Sequence, residues 1–202
     1  MDFKLANRIE LAAKLLNQGK VIIVPTDTVY GIAAVCDNPE AHKKIYQIKQ
    51  RSPDLPLIAM IASFEDLGGL VAEIPAEALD MMRRFWPGAL TLIFRKKTGL
   101  KLNEDHDTIG VRWSDNEILN QLIHECGQPL LVTSANLSGK NAPALASEID
   151  QEILSQVAFM LEADQPSAGL PSTIVDISDT SDIRIIRAGA ISKQALFSGK
   201  EN

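Results

Sequence analysis

Cysteine is scarce in this chain of 202 residues, with Cys36 and Cys126 the two present. That excludes a disulfide-dense scaffold and any zinc site built from four thiolates. Both sit in apolar contexts and read as buried, reduced thiols. Long apolar runs are missing too. None approaches the ~20 residues that a membrane-spanning helix needs, and the opening MDFKLANRIE lacks the apolar core of a secretory signal. Basic excess is absent: 20 Lys and Arg stand against 26 Asp and Glu, a formal net charge of −6. A protein that coats nucleic acid non-specifically needs the opposite balance, although a local basic pocket remains compatible. His42, His106 and His124 have no metal-ligand spacing. Neither a Gly-x-Ser-x-Gly elbow nor a Gly-Lys-Ser/Thr phosphate loop occurs. These absences leave a cytoplasmic protein with no membrane attachment, no resident metal and no covalent nucleophile. Its chemistry must rest on positioning and electrostatics, which suits phosphoryl or nucleotidyl transfer.

What is present reads as alternating elements. Leu5, Ile9, Ala12, Ala13, Leu15 and Leu16 recur at helical spacing, and Gly19 ends that helix. Residues 21–24 are a buried strand stopped by Pro25. Asn38-Pro39-Glu40 is an N-cap with proline in the first turn of a helix that carries Ile45, Tyr46 and Ile48 inward. Residues 57–61 form a second buried strand. Pro75 opens a helix to Arg84, Trp86-Pro87-Gly88 breaks it, and 89–95 and 108–112 are strands. Residues 116–126 form a helix stopped by Gly127, and 130–133 a strand. Segments 147–154, 157–162, 173–177 and 183–187 look like a helix and three strands, and a short helix ends the chain. This alternation predicts an α/β fold, a twisted sheet flanked by helices. Several connections are too short for parallel crossovers, so the sheet is mixed. No repeat, low-complexity tract or linker interrupts the pattern, and residues 1–202 read as one domain.

Four clusters put polar or basic residues at the ends of apolar segments, where open α/β sheets bind ligands. The first, Pro25-Thr26-Asp27-Thr28-Val29-Tyr30-Gly31, sets hydroxyls and a carboxylate after a buried strand. A side-chain-capped turn accounts for the same residues. The second is Lys49-Gln50-Arg51 at a helix end. Beyond the helix the ammonium and the guanidinium can converge on one anion, such as a polyphosphate. Favourable charge at a helix C-terminus is the plainer account. The third, Ser134-Ala135-Asn136-Leu137-Ser138-Gly139, can offer hydroxyl, amide and backbone donors to phosphates, or be an ordinary turn. The fourth comprises Thr108-Ile109-Gly110-Val111-Arg112, Ser172-Thr173 and Arg187-Ala188-Gly189, each with a donor beside an apolar run. Solvated arginines would explain as much.

Taken in order, these clusters resemble the YrdC/TsaC family, the threonylcarbamoyl-AMP synthases. Phe85-Trp86-Pro87-Gly88-Ala89-Leu90-Thr91 and Ser172-Thr173-Ile174-Val175-Asp176 extend the likeness, which runs from residue 25 to 189. Lys49-x-Arg51 with Ser134-x-Asn136 is its specific part. The resemblance implies a YrdC-like (RibB-like) fold enclosing a concave, positively charged cavity. It implies synthesis of L-threonylcarbamoyladenylate and pyrophosphate from L-threonine, bicarbonate and ATP, with Mg2+ on the phosphates. A separate tRNA threonylcarbamoyl transferase complex would consume the product to make the t6A37 modification, and a weak direct contact with tRNA is compatible. Carried over by position, Lys49 and Arg51 hold phosphates and carry the catalysis, while Thr108, Ser134, Asn136 and Arg187 line the nucleotide site. Thr28, Arg112 and Ser172 lie at the threonine end, with Val132 offering backbone. Asp27 orients its neighbours or a metal.

The chain departs from the family pattern at Ser52, Leu55 and Met60, where many members carry proline, asparagine and histidine. In lacking that asparagine and histidine it is similar to the shorter, single-domain bacterial branch. It ends soon after residue 189, so a segment closing over the cavity is missing or supplied by the last residues. Two other readings are a paralogue of the same fold with another substrate and an RNA-binding protein without the activity. The latter would need a broad basic face and a steep salt dependence. Lys49 and Arg51 are both expected to be exposed to the cavity.

Overall fold

Side chains alternating between two faces organise the structure. The computed structural model describes residues 3–102, 106–163 and 165–198. Eight strands form one sheet: β1 (Ile22–Val24), β2 (Gly31–Val35), β3 (Ile58–Ile61), β4 (Leu90–Arg95), β5 (Thr108–Trp113), β6 (Leu130–Ser134), β7 (Thr173–Asp176) and β8 (Arg184–Arg187). Their spatial order is β1-β2-β6-β3-β5-β4-β7-β8. The β3–β5 and β4–β7 pairs are parallel and the other pairs antiparallel, so the sheet is mixed as expected. The helices are α1 (Phe3–Asn17), α2 (Pro39–Lys49), α3 (Leu67–Leu70), α4 (Ala76–Phe85), α5 (Glu117–Cys126), α6 (Gln151–Leu154) and α7 (Lys193–Phe197).

The helix boundaries have local causes. Asn38 accepts from the Ala41 amide at 3.0 Å, and Pro39 fills the first turn of α2. Asn116 does the same for α5 through the Leu119 amide, and Gly127 closes that helix with φ +69°. In α1 the buried Ile9, Ala12, Ala13 and Leu16 form a single stripe.

One face of the sheet is largely apolar. Ile23, Ile32, Ala34, Leu131, Ala59, Ile61, Ile109, Val111, Leu92, Phe94 and Val175 join a core completed by Ala41, Ile45 and Ile48 of α2 and by Ala78, Met81 and Met82 of α4. The other face is divided. Ile22, Val24, Ala33, Val35, Leu130, Val132 and Met60 pack beneath Ile9, Ala12, Ala13 and Leu16 of α1 and Leu119, Leu122, Ile123 and Cys126 of α5. The rest of that face lies under the cavity described below.

Three expectations need correction. Gly31, expected in the turn, begins β2, and residues 32–35, for which the pattern predicts no element, continue it; every side chain there is buried, so the period-two alternation that marks a half-exposed strand is missing. Residues 157–162 are not a strand of the sheet. They run beside β1 through an isolated bridge at Met160, with the Ala158 and Leu161 amides bonded to the Val21 and Ile23 carbonyls at 2.9 Å each. Segment 147–154 is a 3-10 turn (Ala146–Glu148) followed by the short α6, not one helix. Of the last residues, 199–202 lie outside the described ones.

Candidate active site

Where α1 and α5 stop covering the sheet, a cavity of about 470 Å³ opens on the same face. Alternation builds its floor: Thr108, Gly110 and Arg112 of β5, Ile58 and Met60 of β3, Thr91 and Ile93 of β4 and Ile174 of β7 all point into it. Thr28, Arg51, Thr108, Arg112, Val132, Ser134, Asn136, Ser172 and Arg187 line it together. Residues up to 159 positions apart thus converge, the span from Thr28 to Arg187. The expectation of a site at strand ends needs amendment, because Gly110, Thr91 and Met60 lie within their strands and the ligand-facing surface is an open sheet face.

Lys49 is the exception. It was expected to be exposed to the cavity, yet it is 2% exposed and absent from the lining. Its ammonium donates to the carbonyl oxygens of Ser134 and Asn136, the latter at 2.7 Å, with Asn136 Oδ1 at 3.4 Å. Its own carbonyl accepts from the Ser138 amide at 2.9 Å. Lys49 therefore pins the 134–138 loop from beneath. Gln50, left-handed at φ +50°, turns the chain so that Arg51 takes the opposite course into the cavity. Arg51 Nη1 donates to Thr133 Oγ1 at 3.0 Å and Nη2 to the Pro56 carbonyl at 3.2 Å, while its buried Nε has no partner.

Arg112 is held on all sides. Nη1 donates to Thr28 Oγ1 at 2.8 Å, Nη2 to Asp27 Oδ1 at 2.6 Å and Nε to the Gly88 carbonyl at 3.0 Å. Arg187 donates through Nε and Nη2 to the Ser172 carbonyl at 3.1 and 2.9 Å, and through Nη2 to Ser172 Oγ at 3.0 Å. That hydroxyl shares a 2.8 Å hydrogen bond with Thr91 Oγ1. Arg187 and Ser172, assigned to opposite ends of the site from the sequence, are thus in direct contact. Only a glycine fits at 189: a Cβ there would meet the Pro171 carbonyl oxygen at 2.3 Å and the Ser172 carbonyl carbon at 2.5 Å.

The Sua5/YciO/YrdC family model, described as telomere recombination, matches residues 14–189. The chain belongs to the Sua5/YciO/YrdC family. It is 36% identical over 192 residues to the threonylcarbamoyl-AMP synthase of Bacillus subtilis, covering 94% of this chain and 55% of that protein. It is also 36% identical to a putative threonylcarbamoyl-AMP synthase of Methanocaldococcus jannaschii, covering 93% of this chain and 88% of that one. The crystal structure of Pyrococcus abyssi Sua5 complexed with L-threonine superposes with a TM-score of 0.88 at 33% identity, over 94% of this chain and 57% of that one. The chain spans about half the length of the Bacillus and Pyrococcus proteins.

Charge distinguishes the cavity of this family member. Arg51, Arg112, Arg187 and Lys140 are among its lining residues, and among the described residues no Asp or Glu is. Burial lowers the pKa of Arg187, and the charges of Arg112 and Arg51 lower it further, the mark of three guanidiniums sharing one space. Burial, then Arg51, pulls Lys49 down to about 8. Such a site favours an anion of high charge. Among the described residues no group of three or more His, Cys, Asp or Glu side chains is placed to hold a metal ion. Both cysteines are buried, with the thiol pKa of Cys126 pushed up to about 12 and that of Cys36 raised further.

Sequence reasoning missed Lys140, which lines the cavity while pairing with Asp150 at 3.0 Å. It gave no role to Thr91, which period-two counting from Ile93 would have placed on the floor. Nor did it single out Ser114, fully buried behind Asp27.

Proposed function

We propose that this protein is an L-threonylcarbamoyladenylate synthase, making threonylcarbamoyl-AMP and pyrophosphate from L-threonine, bicarbonate and ATP. The observation that carries this reading is the convergence of Arg51, Arg112 and Arg187 on one cavity, with Arg51 Nε buried and lacking a protein partner. An unsatisfied buried donor is costly, and an anionic ligand relieves that cost. The threonine amine attacks carbon dioxide from bicarbonate, forming an N–C bond and losing a proton. A carbamate oxygen then attacks the α-phosphorus of ATP, and pyrophosphate leaves as the P–O bond to the β-phosphate breaks. Carbamate and triphosphate repel one another, and fixed guanidiniums offset that repulsion.

In this reading Arg51, Thr108, Ser134, Asn136 and Arg187 form the ATP end. Thr28, Arg112, Ser172 and the Val132 backbone form the threonine end. Lys49 acts from beneath, fixing the 134–138 loop and adding positive charge behind it. Mg2+ enters with ATP as part of the substrate. The product serves a tRNA threonylcarbamoyl transferase that the reaction leaves to another protein. Mass spectrometry after incubation with ATP, L-threonine, bicarbonate and Mg2+ tests the reading, with threonylcarbamoyl-AMP as the expected product. Equal pyrophosphate release with serine, or with no amino acid, would instead support a paralogue with another substrate.

A further inference from the structure

Arg112 owes its orientation in part to groups outside the cavity lining, Asp27 and the Gly88 carbonyl. A guanidinium has five N–H donors. Here each nitrogen donates one bond, to Thr28, Asp27 and the Gly88 carbonyl. One hydrogen is left over on each terminal nitrogen, free for an anion in the cavity that Arg112 lines. Their aim depends on where Asp27 stands, and Asp27 is held in turn. Ser114 donates its hydroxyl to the same Asp27 Oδ1 that receives Arg112, and the Asp27 amide reaches Ser114 Oγ at 3.4 Å. Ser114 is fully buried, outside the cavity lining, and its carbonyl accepts from Asn120 Nδ2 at 3.0 Å. It follows Arg112 by two residues, on the same face of the chain as β5 ends.

We infer that Ser114 is a positioning residue, which through Asp27 fixes the Arg112 guanidinium and so sets the affinity of the site for the carboxylate of the amino-acid substrate. The inference rests on the synthase reading for the identity of that substrate. It does not rest on it for the hold on Arg112. Losing the hydroxyl leaves Asp27 with a single side-chain donor and lets the ion pair shift, misaiming the guanidinium that is to meet the carboxylate.

The test has two readouts on the full chain. In protein carrying 15N-labelled arginine, the Arg112 Nε–H resonance, identified by its loss in Arg112→Lys, should exchange with solvent at least about tenfold faster in Ser114→Ala than in the wild type. In steady-state assays Ser114→Ala should raise the threonine KM about tenfold, with the ATP KM and kcat within about twofold. Ser114→Cys, close in size but a weak donor, should resemble Ser114→Ala, and Ser114→Thr should retain the wild-type exchange rate. Wild-type behaviour of Ser114→Cys, an unchanged Arg112 exchange rate, or a parallel rise in both KM values would overturn the inference in favour of plain packing. A wild-type protein that turns over no threonine is the failure of the synthase reading instead, and the exchange rates then decide the role of Ser114 alone.

Discussion

The part of the sheet face beneath α1 and α5 and the part beneath the cavity share strands, pleat and hydrogen-bond register, yet they carry opposite chemistry. On β6 the change happens within one strand: Leu130 lies in the helix-covered core, Val132 belongs to both parts, and Ser134 lines the cavity. On β3, Met60 stands at the border and belongs to both. The covered part is dry and apolar and contributes stability, since each buried aliphatic side chain is worth about 1.5–3 kcal/mol. The cavity part tolerates three arginines because each finds protein acceptors: Arg112 is paired with Asp27, while those of Arg51 and Arg187 are neutral and leave the charge open to a ligand. A fold can thus host an anion site by leaving part of an otherwise ordinary sandwich unroofed.

Substitutions on the two sides should therefore separate stability from chemistry. Leu122→Ala, on the inner face of α5, should cost about 2–5 kcal/mol of unfolding free energy while the molecules that remain folded keep their turnover. Arg51→Ala should leave the melting temperature within a few degrees and lower pyrophosphate release about 100-fold or more, roughly 2.7 kcal/mol in the barrier. Loss of folding in Arg51→Ala, or of turnover in folded Leu122→Ala, would erase the distinction. Gly189→Ala tests the far wall. The added methyl meets backbone that cannot step aside, so about 1–3 kcal/mol of stability should be lost together with the Arg187–Ser172 contact and roughly tenfold in turnover.

Lys49 gives the smallest and most specific signal. Its folded pKa of about 8 lies below the usual 10.5. Between those values the folded protein has shed a proton that the unfolded chain keeps. The contribution of this group to stability therefore rises with pH across the window and is least favourable below it. Urea unfolding at pH 8 and pH 10 should show the wild type gaining relative to Lys49→Met. Equal slopes for the two would mean that the ammonium is solvated rather than sealed beneath the loop.

Most of the elements were legible from residue pattern alone, because Asn38, Asn116, Gly19 and Gly127 mark helix ends by local chemistry. β2 was not, since Gly31-Ile-Ala-Ala-Val35 is buried on both faces and shows no alternation. The 157–162 segment has strand-like composition but exchanges backbone hydrogen bonds only with Val21 and Ile23 as it passes β1. For the site, the motifs named the residues but not their directions. Lys49 and Arg51 look equivalent in sequence, and the left-handed turn at Gln50, a property of the folded backbone, sends one beneath the loop and the other into the cavity. Ser114 had no signal at all, because its role arises from an 87-residue jump to Asp27.

The two margins of the sheet are finished differently. The β1 margin is sealed by passing backbone, whereas β8, four residues long and largely exposed, is hydrogen-bonded to β7 alone among the named strands and brings Arg187 to the cavity. Ile183 and Ile185 of that ribbon pack against the core, so its hold on the sheet is one ladder and a short apolar seam. The wall that carries Arg187 is therefore tethered along a single side, and whatever loosens that tether reaches the guanidinium before it reaches the rest of the sheet.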